Sequence, residues 1–439
     1  MRNFSEGRMS TPPSPGSAIA GIEAAWEDLR YVVGAEHISP ATPQDAVDGI
    51  LPQMVVEPAS QQEVAAVLKV AASAGLRVMP RGGGTKMEWG NPPRAGELVF
   101  SMRRMNRVLE HAFGDMTATV EAGCSFQQLQ DTLSTHGQRV ALDPLWPDKA
   151  TVGGILASND SGPLRARFGS LRDLIIGITL VLSDGTVAKS GGKVVKNVAG
   201  YDLPKLATGS MGTLGIITQA IFRLHPTPRE SRTLTFSAPN IKAMSDLKLA
   251  IHASKLVPTG VQIRSGHSAS CEIDVRFEGT GAGCDCQCEQ LLQMASGTTC
   301  VDSPDGVWKA RETLWNGNSP ASVCKFTLLP TELQPFVEQL SAVSAQKQTT
   351  WRLVAQAVGL GLLRLETPQA DSLADILQAL RTSLENRGGS LSILNCPPEV
   401  KSKMDVWGSA GDALPLMRGI KAQFDPKGVL NPGRFIAGI

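Results

Sequence analysis

The sequence predicts an α+β protein of two folded units, and three observations carry that prediction. A strand–helix–strand pattern over 54–79 opens directly into a glycine-rich loop. Strand-like segments then dominate as far as Leu224. Beyond Pro226-Thr227-Pro228 the texture changes, and strand-like and helix-like stretches alternate in a second unit. At 439 residues the chain has room for about two or three domains.

Taken in order, residues 1–18 are rich in Ser, Pro and Gly and read as a disordered tail or linker. Ile22, Trp26 and Leu29 lie near helical spacing, and Gly34 is a stop, which predicts a short helix over 19–34. Met54-Val55-Val56 reads as a short strand. Ser60-Gln61-Gln62-Glu63 is a capping box: the hydroxyl accepts a backbone N–H while the Glu reaches back. Val64, Val67, Leu68 and Ala71 then form one apolar helix face, and Gly75 ends the helix. A second strand over 76–79 completes a βαβ unit. Strands are predicted at 98–102, 107–111 and 116–121. A second capping box, Ser125-Phe126-Gln127-Gln128, opens a helix carrying Phe126, Leu129 and Leu133 and stopped by Gly137. The stretch 151–169 is loop and helix with many small residues. The apolar run 174–182, too short for a membrane span, pairs with 186–189 as a hairpin, 197–212 is helical in its middle, and 214–224 is a long strand.

In the second unit, strands are expected at 232–237, 260–264 and 272–278, and helices at 241–252, 286–294 and 371–388. The division is therefore a tail and short helix (1–50), a first domain (51–228), a second (229–406) and a C-terminal segment (407–439) returning to the first.

Composition excludes several classes. Lys and Arg number 42 against 41 Asp and Glu, so the net charge of +1 provides neither the basic face of a nucleic-acid binder nor attraction to anionic lipid. No apolar run approaches the roughly 18 residues of a membrane span, and the N-terminus shows no apolar export segment. Eight Cys in this length are not a disulfide scaffold, so reduced thiols in the cytoplasm are expected. Glycine, at 44 residues, is in excess, and it clusters.

Three segments carry chemistry. In Pro80-Arg81-Gly82-Gly83-Gly84-Thr85, three glycines after a strand allow backbone N–H groups to converge on an anion such as a pyrophosphate. The triple glycine alone fits a surface turn equally well. The loop is not a G-x-G-x-x-G fingerprint opening a helix, because Pro92-Pro93 follows too soon, and no Walker A loop occurs. Next, Asp143-Pro144 is followed by Thr151-Val152-Gly153-Gly154-Ile155-Leu156-Ala157-Ser158-Asn159-Asp160-Ser161-Gly162, where small residues let a flat group lie close to the backbone. Third, 193–206 contains Tyr201, one of only 2 Tyr, for which burial with a satisfied hydroxyl is expected.

The order of these segments, closing on Asn431-Pro432-Gly433-Arg434-Phe435, resembles the FAD-binding family of the vanillyl-alcohol oxidase and p-cresol methylhydroxylase (PCMH) type. The resemblance covers roughly 53–228 and the C-terminal motif. Within that family, the chain length, GGKVVKNVAGYDL and FDPKGVLNPGRF look like the second FAD-binding (E) subunits of bacterial glycolate oxidases. The resemblance implies a two-subdomain PCMH-type FAD-binding domain with an α+β cap of the FAD-linked oxidase type. It implies FAD contacts from Pro80, Arg81, Gly82, Gly83, Gly84, Thr85 and Lys86 around the pyrophosphate. It places Asp143, Thr151, Gly153, Gly154, Ser158, Asn159 and Gly162 along the flavin, and Gly212, Ile216 and Ile217 on the adenine side. It also implies a catalytic FAD subunit and an iron–sulfur subunit as partners, a small 2-hydroxy acid as substrate, and a cytoplasmic protein reaching the inner membrane only through its complex. No catalytic residue is assigned. A self-sufficient flavin oxidoreductase and a structural subunit without redox activity remain as alternatives.

Two departures matter. No His or Cys lies between Arg81 and Pro93, so FAD is expected to be non-covalent. The His-x-x-Gly-Asp-Gly-Asn-x-His motif of related hydroxy-acid dehydrogenases is absent, and no His lies beyond His267, so no metal is expected. Cys284, Cys286 and Cys288 read as a thiol-rich loop, and Cys271, Cys300, Cys324 and Cys396 as small buried hydrophobes. Trp308, Trp315, Trp351 and Trp407 are expected to pack in the core of the second unit, and Arg364 to make a salt bridge.

Overall fold

The computed structural model describes residues 15–193, 201–267, 271–317, 320–368 and 370–439. Among the described residues the first unit holds three sheets, the smallest a pair of Gln138–Arg139 and His225–Pro226. One contains β1 (Ile38–Pro40), β2 (Met54–Val56), β3 (Val78–Arg81) and β4 (Leu98–Ser101), in the order β1-β2-β4-β3. The helix Gln61–Ala74 joins β2 to β3 and buries Val64, Val67, Leu68 and Ala71, the face its periodicity predicts. Ser60 accepts from the N–H of Glu63, but Glu63 reaches back to the N–H of Ala59, one residue beyond the cap (2.9 Å). The βαβ unit is split: β2 and β3 both run parallel to β4, which lies between them.

The second sheet is antiparallel, with β5 (Val108–Ala112), β6 (Thr117–Glu121), β7 (Ile175–Val181), β8 (Val187–Gly191) and β9 (Ile216–Arg223) in the order β5-β6-β9-β7-β8. The expected hairpin is β7–β8. The helix Phe126–Ser134 turns Phe126, Leu129 and Leu133 inward beneath its Ser125 cap. One core unites these parts, from Leu29 through Leu68, Phe100 and Phe222 to Leu430. Leu430 belongs to it because the C-terminal segment returns beside β3: the N–H of Val78 bonds Val429 (2.8 Å), and that of Asn431 bonds Val78 (2.9 Å).

The second unit is an eight-stranded antiparallel sheet of β10 (Glu230–Ala238), β11 (Gly260–Gly266), β12 (Cys271–Gly279), β13 (Thr299–Val301), β14 (Ala321–Thr327), β15 (Thr350–Gln356), β16 (Leu360–Glu366) and β17 (Ser390–Asn395). Their order is β13-β10-β12-β11-β15-β16-β14-β17. Helices including Ile241–Ala253 and Leu333–Lys347 cover a core that contains Phe236, Phe277, Phe326 and Trp351. A smaller cluster joins the units: Trp89, Leu145 and Met211 from the first pack with Leu314, Val354, Leu362 and Leu394 from the second.

Several expectations fail locally. Cys284, Cys286 and Cys288 lie on the helix Gly281–Met294 rather than in a loop. Cys300 is exposed on an edge strand, and Cys396 is only half-buried. Tyr201 is 90% exposed, so its hydroxyl needs no internal partner. Trp351 is a core residue. Trp315 and Trp407 instead pack at the junction between units, and the Trp308 indole N–H donates to Thr233 (3.1 Å). Arg364 makes its salt bridge to Glu366. The whole Lys-Asn-Val-Ala-Gly stretch before Tyr201 lies outside the described residues, as does 1–14; the helix expected within 197–212 is Leu203–Ala207.

Candidate cofactor groove and junction cavity

A groove runs over the glycine loop that ends β3, between the loop and the segment 149–158. A Cβ on Gly82 would lie 2.0 Å from Thr151 Oγ1, and one on Gly83 would lie 1.8 Å from the carbonyl oxygen of Lys149. Gly84 has φ +78°. The loop is therefore glycine because it packs against Lys149–Thr151, and a free surface turn is excluded. The opposing segment is fixed in turn. Thr151 Oγ1 accepts from Gly154 N–H at the start of the helix Val152–Ser158, and Gly153 N–H bonds Ala122 (2.8 Å). A Cβ on Gly153 would approach Ala122 Cβ to 2.9 Å.

Of the expected cofactor contacts, all line this groove except Asp143, Asn159 and Gly162. Gly162 is wedged between Arg311 and Asp143, where a Cβ would lie 2.3 Å and 2.5 Å from their side chains. Asp143 accepts from Leu164 N–H (3.2 Å); burial pushes its carboxyl above the ordinary value despite nearby Arg311 and Arg276. Asn159 ends its helix in the left-handed region, φ +49°. Met87, Met102, Ala122, Ala157, Met211, Gly215, Asn431 and Arg434 also line the groove, although sequence reasoning assigned them no contact. The signal for the last two was the terminal Asn-Pro-Gly-Arg-Phe. Asn431 donates to the Met211 carbonyl (2.7 Å), and Arg434 to those of Met87, Trp89 and Asn91. Ala157 lies within the Thr151–Gly162 segment, whereas Met87, Met102 and Ala122 belong to none of the three segments.

The backbone N–H groups of Gly82, Gly83, Gly84 and Thr85 have no acceptor among the described residues. Three cations, Arg81, Lys86 and Arg434, line the groove, and among the described residues no Asp or Glu lines it. Each cation is backed by a carboxylate outside the lining: Arg81 by Asp45, Lys86 by Asp160 (3.2 Å) and Arg434 by Asp48 (3.0 Å). Burial raises the Asp45 carboxyl, but hydrogen bonds from Arg81 and Thr42 outweigh it and hold the group below the carboxylate norm. The groove fits FAD: free N–H groups suit a pyrophosphate, and small residues admit a flat ring. Bound there, FAD supplies hydride-accepting chemistry.

A second, much narrower space lies at the junction of the units. Trp89, Leu145, Asp160 and Ser161 come from the first unit, and Arg311, Lys325, Gln356 and a leucine-rich wall from the second. Lys86 connects the two spaces, since it lines the groove while its Nζ touches Asp160. Among the described residues, no three His, Cys, Asp or Glu side chains come together to hold a metal, and no helix is long and apolar enough to cross a membrane.

Residues 52–191 match the family model described as "FAD binding domain", and 408–435 match "FAD linked oxidases, C-terminal domain". The chain is 26% identical over 421 residues to glycolate oxidase subunit GlcD of Bacillus subtilis (strain 168), covering 88% of this chain and 89% of that protein. It is 28% identical over 458 residues to the mitochondrial D-lactate dehydrogenase [cytochrome] of Arabidopsis thaliana, covering 96% and 80%. The crystal structure of p-cresol methylhydroxylase with substrate bound superposes with a TM-score of 0.75 at 15% identity, covering 94% of this chain and 96% of that one. The chain is thus an FAD-linked oxidoreductase, and its fold is that of p-cresol methylhydroxylase.

Proposed function

We propose that this chain is the FAD-binding E-type subunit of a glycolate oxidase complex. It holds FAD non-covalently in the groove and serves the oxidation of glycolate or a related small 2-hydroxy acid, or the relay of its electrons. A catalytic FAD subunit and an iron–sulfur subunit are its partners, in the cytoplasm or at the inner membrane through the complex. The observation that carries the cofactor reading is the set of N–H groups at Gly82–Thr85, without acceptors among the described residues, in residues that line a groove where no described Asp or Glu lies. The non-covalent reading is supported by the absence of His and Cys among the described residues that line it. The E-type reading is supported by the lack of histidines after His267.

The visible spectrum of the purified chain tests this directly. Flavin bands are expected, the colour should leave the protein on acid precipitation, and glycolate added to the assembled complex should bleach it. Colour retained by the acid precipitate would refute non-covalent binding. Failure to copurify with the two partners on coexpression would refute the subunit assignment. A self-sufficient oxidoreductase is favoured by one observation, the narrow cationic space beside the groove, and bleaching of the isolated chain by glycolate would decide for it.

A further inference from the structure

A group of buried charges lies just past one end of the groove, and it does not balance. The Asp160 side chain is 4% exposed and accepts from Leu145 N–H (2.8 Å). Lys86 Nζ lies 3.2 Å from it and Arg311 lies 3.8 Å from it, and their side chains are 7% and 5% exposed. Lys325 donates to the carbonyl of the adjacent Asn159 (3.4 Å). Asp143, whose carbonyl accepts from Arg311, has its carboxyl pushed towards the neutral form by burial, and its Oδ1 has no donor among the described residues. Burial also pushes the Lys325 ammonium below the ordinary lysine value. Even with Lys325 neutral, Lys86 and Arg311 carry two positive charges against the single negative charge of Asp160.

One ion pair would be enough to tie the two units here. The extra cation is costly out of water unless a negative charge comes near it. Among the described residues no Asp or Glu lines the groove, so the chain does not supply that charge there. The donors that suit a pyrophosphate lie elsewhere: Gly82 and Gly83 pack on Lys149–Thr151, just before the helix Val152–Ser158. The charges gather at Asn159–Asp160, past the other end of that helix, about 12 Å further on at roughly 1.5 Å per residue. Lys86 lines the groove while its Nζ lies near the rings of Trp89 (5.4 Å from the centroid) and Trp146 (5.7 Å). Ala157 and Ser158, which lead into Asn159, line the groove as well. The charges are therefore separated from the groove by little more than this helix end, and in such a water-poor layer a field is strong without contact.

We propose that Lys86, Arg311 and Asp160 set the reduction potential of FAD bound in the groove, their net positive charge favouring the reduced cofactor. A flavin that takes up two electrons and one proton gains one negative charge, and a fixed cation stabilises that form relative to the oxidised one. Closure of these side chains to water strengthens the effect rather than preventing it, because the charge acts through space. The inference rests on the reading of the groove as an FAD site. It gives Lys86 a tuning role in addition to the pyrophosphate contact that the order of motifs implies.

The test compares midpoint potentials of the FAD-loaded protein and its variants at one pH, read by slow anaerobic reduction beside a reference dye. In Lys86→Met the preference for reduced over oxidised FAD should fall at least about tenfold, a midpoint about 30 mV lower. Lys86→Arg, which keeps the charge, should stay within about threefold of the unaltered protein. Asp160→Asn, which removes the negative member, should raise the same preference by about threefold or more. Opposite shifts from the two substitutions are the signature of a field, which a merely structural role does not produce. Flavin absorbance and melting temperature check that each protein is loaded and folded. An unchanged potential in Lys86→Met overturns the inference, and so does equal weakening of oxidised and reduced FAD, which would assign Lys86 to the pyrophosphate alone. Should Lys86→Met fail to hold FAD, Asp160→Asn still decides, and a potential unchanged or lowered in it overturns the inference. Failure of the unaltered chain to bind FAD refutes the cofactor reading and this inference with it, whereas bound flavin whose potential none of the substitutions moves refutes this inference alone.

Discussion

At Gly83 a methyl group would sit 1.8 Å from a backbone oxygen, which cannot retreat without moving the segment that carries Thr151. Gly83→Ala is therefore expected to open the groove, and the purified variant should retain less than a tenth of the flavin absorbance per protein. Lys248 sets a different residue-scale test. It is 4% exposed on the helix Ile241–Ala253, donates to the Pro330 carbonyl, and is pushed by burial to about 8. The unfolded chain holds that proton up to the ordinary 10.5. Between those values the unfolded state binds more protons, so stability rises with pH; below about 8 the full penalty, on the order of 3 kcal/mol, is present. Lys248→Met should stabilise the protein by about 1–3 kcal/mol at pH 7, less the hydrogen bond it gives up. That gain should vanish near pH 10.5. Denaturant melts of both proteins across this range check the sign.

At the scale of an element, the helix Gly281–Met294 spreads the thiols of Cys-x-Cys-x-Cys over different faces. On a helix, residues two apart point to opposite sides, whereas residues four apart share a face. Cys284 is buried and Cys288 half-buried, while Cys286 faces solvent. Brief alkylation of the native protein should label Cys286 and Cys300 first and leave Cys324 unlabelled, since burial pushes the Cys324 thiol far above its usual range. Peptide mass spectrometry reads the order, and early labelling of Cys324 would contradict its place in the core. The same helix shows a limit of sequence reading: its second half follows the expected 286–294, but Gly281 and Gly283 hid its first turn. The Thr280 cap, which accepts from Gly283 N–H, starts it all the same.

For the whole molecule, the coupling of the two units matters most. Lys401, on the short helix Pro398–Lys403 of the second unit, is 2% exposed at its side chain and reaches across to Asp48 (2.7 Å) and the carbonyls of Glu88 (2.6 Å) and Gly90 (3.2 Å). Asp48 is shared with Arg434, so one carboxylate ties the N-terminal segment, the second unit and the C-terminal return together. Lys401→Met should cost about 2–4 kcal/mol in a denaturant melt, and the Asp48–Arg434 pair should limit the loss. A loss below 0.5 kcal/mol would show that the units hold together without this tie.

The sequence by itself determined the parts whose causes lie within a few residues. Val64, Val67, Leu68 and Ala71 had to share a helix face, Ser125 had to begin a helix, and 175–191 had to fold back, because periodicity, capping and turn chemistry act locally. The glycines at 82–84 were legible as special, and the ordered motifs pointed to FAD. Only the tertiary structure decided what the glycines face: Lys149 and Thr151 come to them through the packing of two sheets. It alone set Asp143, Asn159 and Gly162 away from the groove, exposed Tyr201, and brought Asn431 and Arg434 to β3. It alone placed Lys325 against Asn159, 166 positions apart in the chain, since neither residue carries a local signal of the other. Such contacts depend on how distant apolar faces pack together, and no short stretch of sequence contains that information.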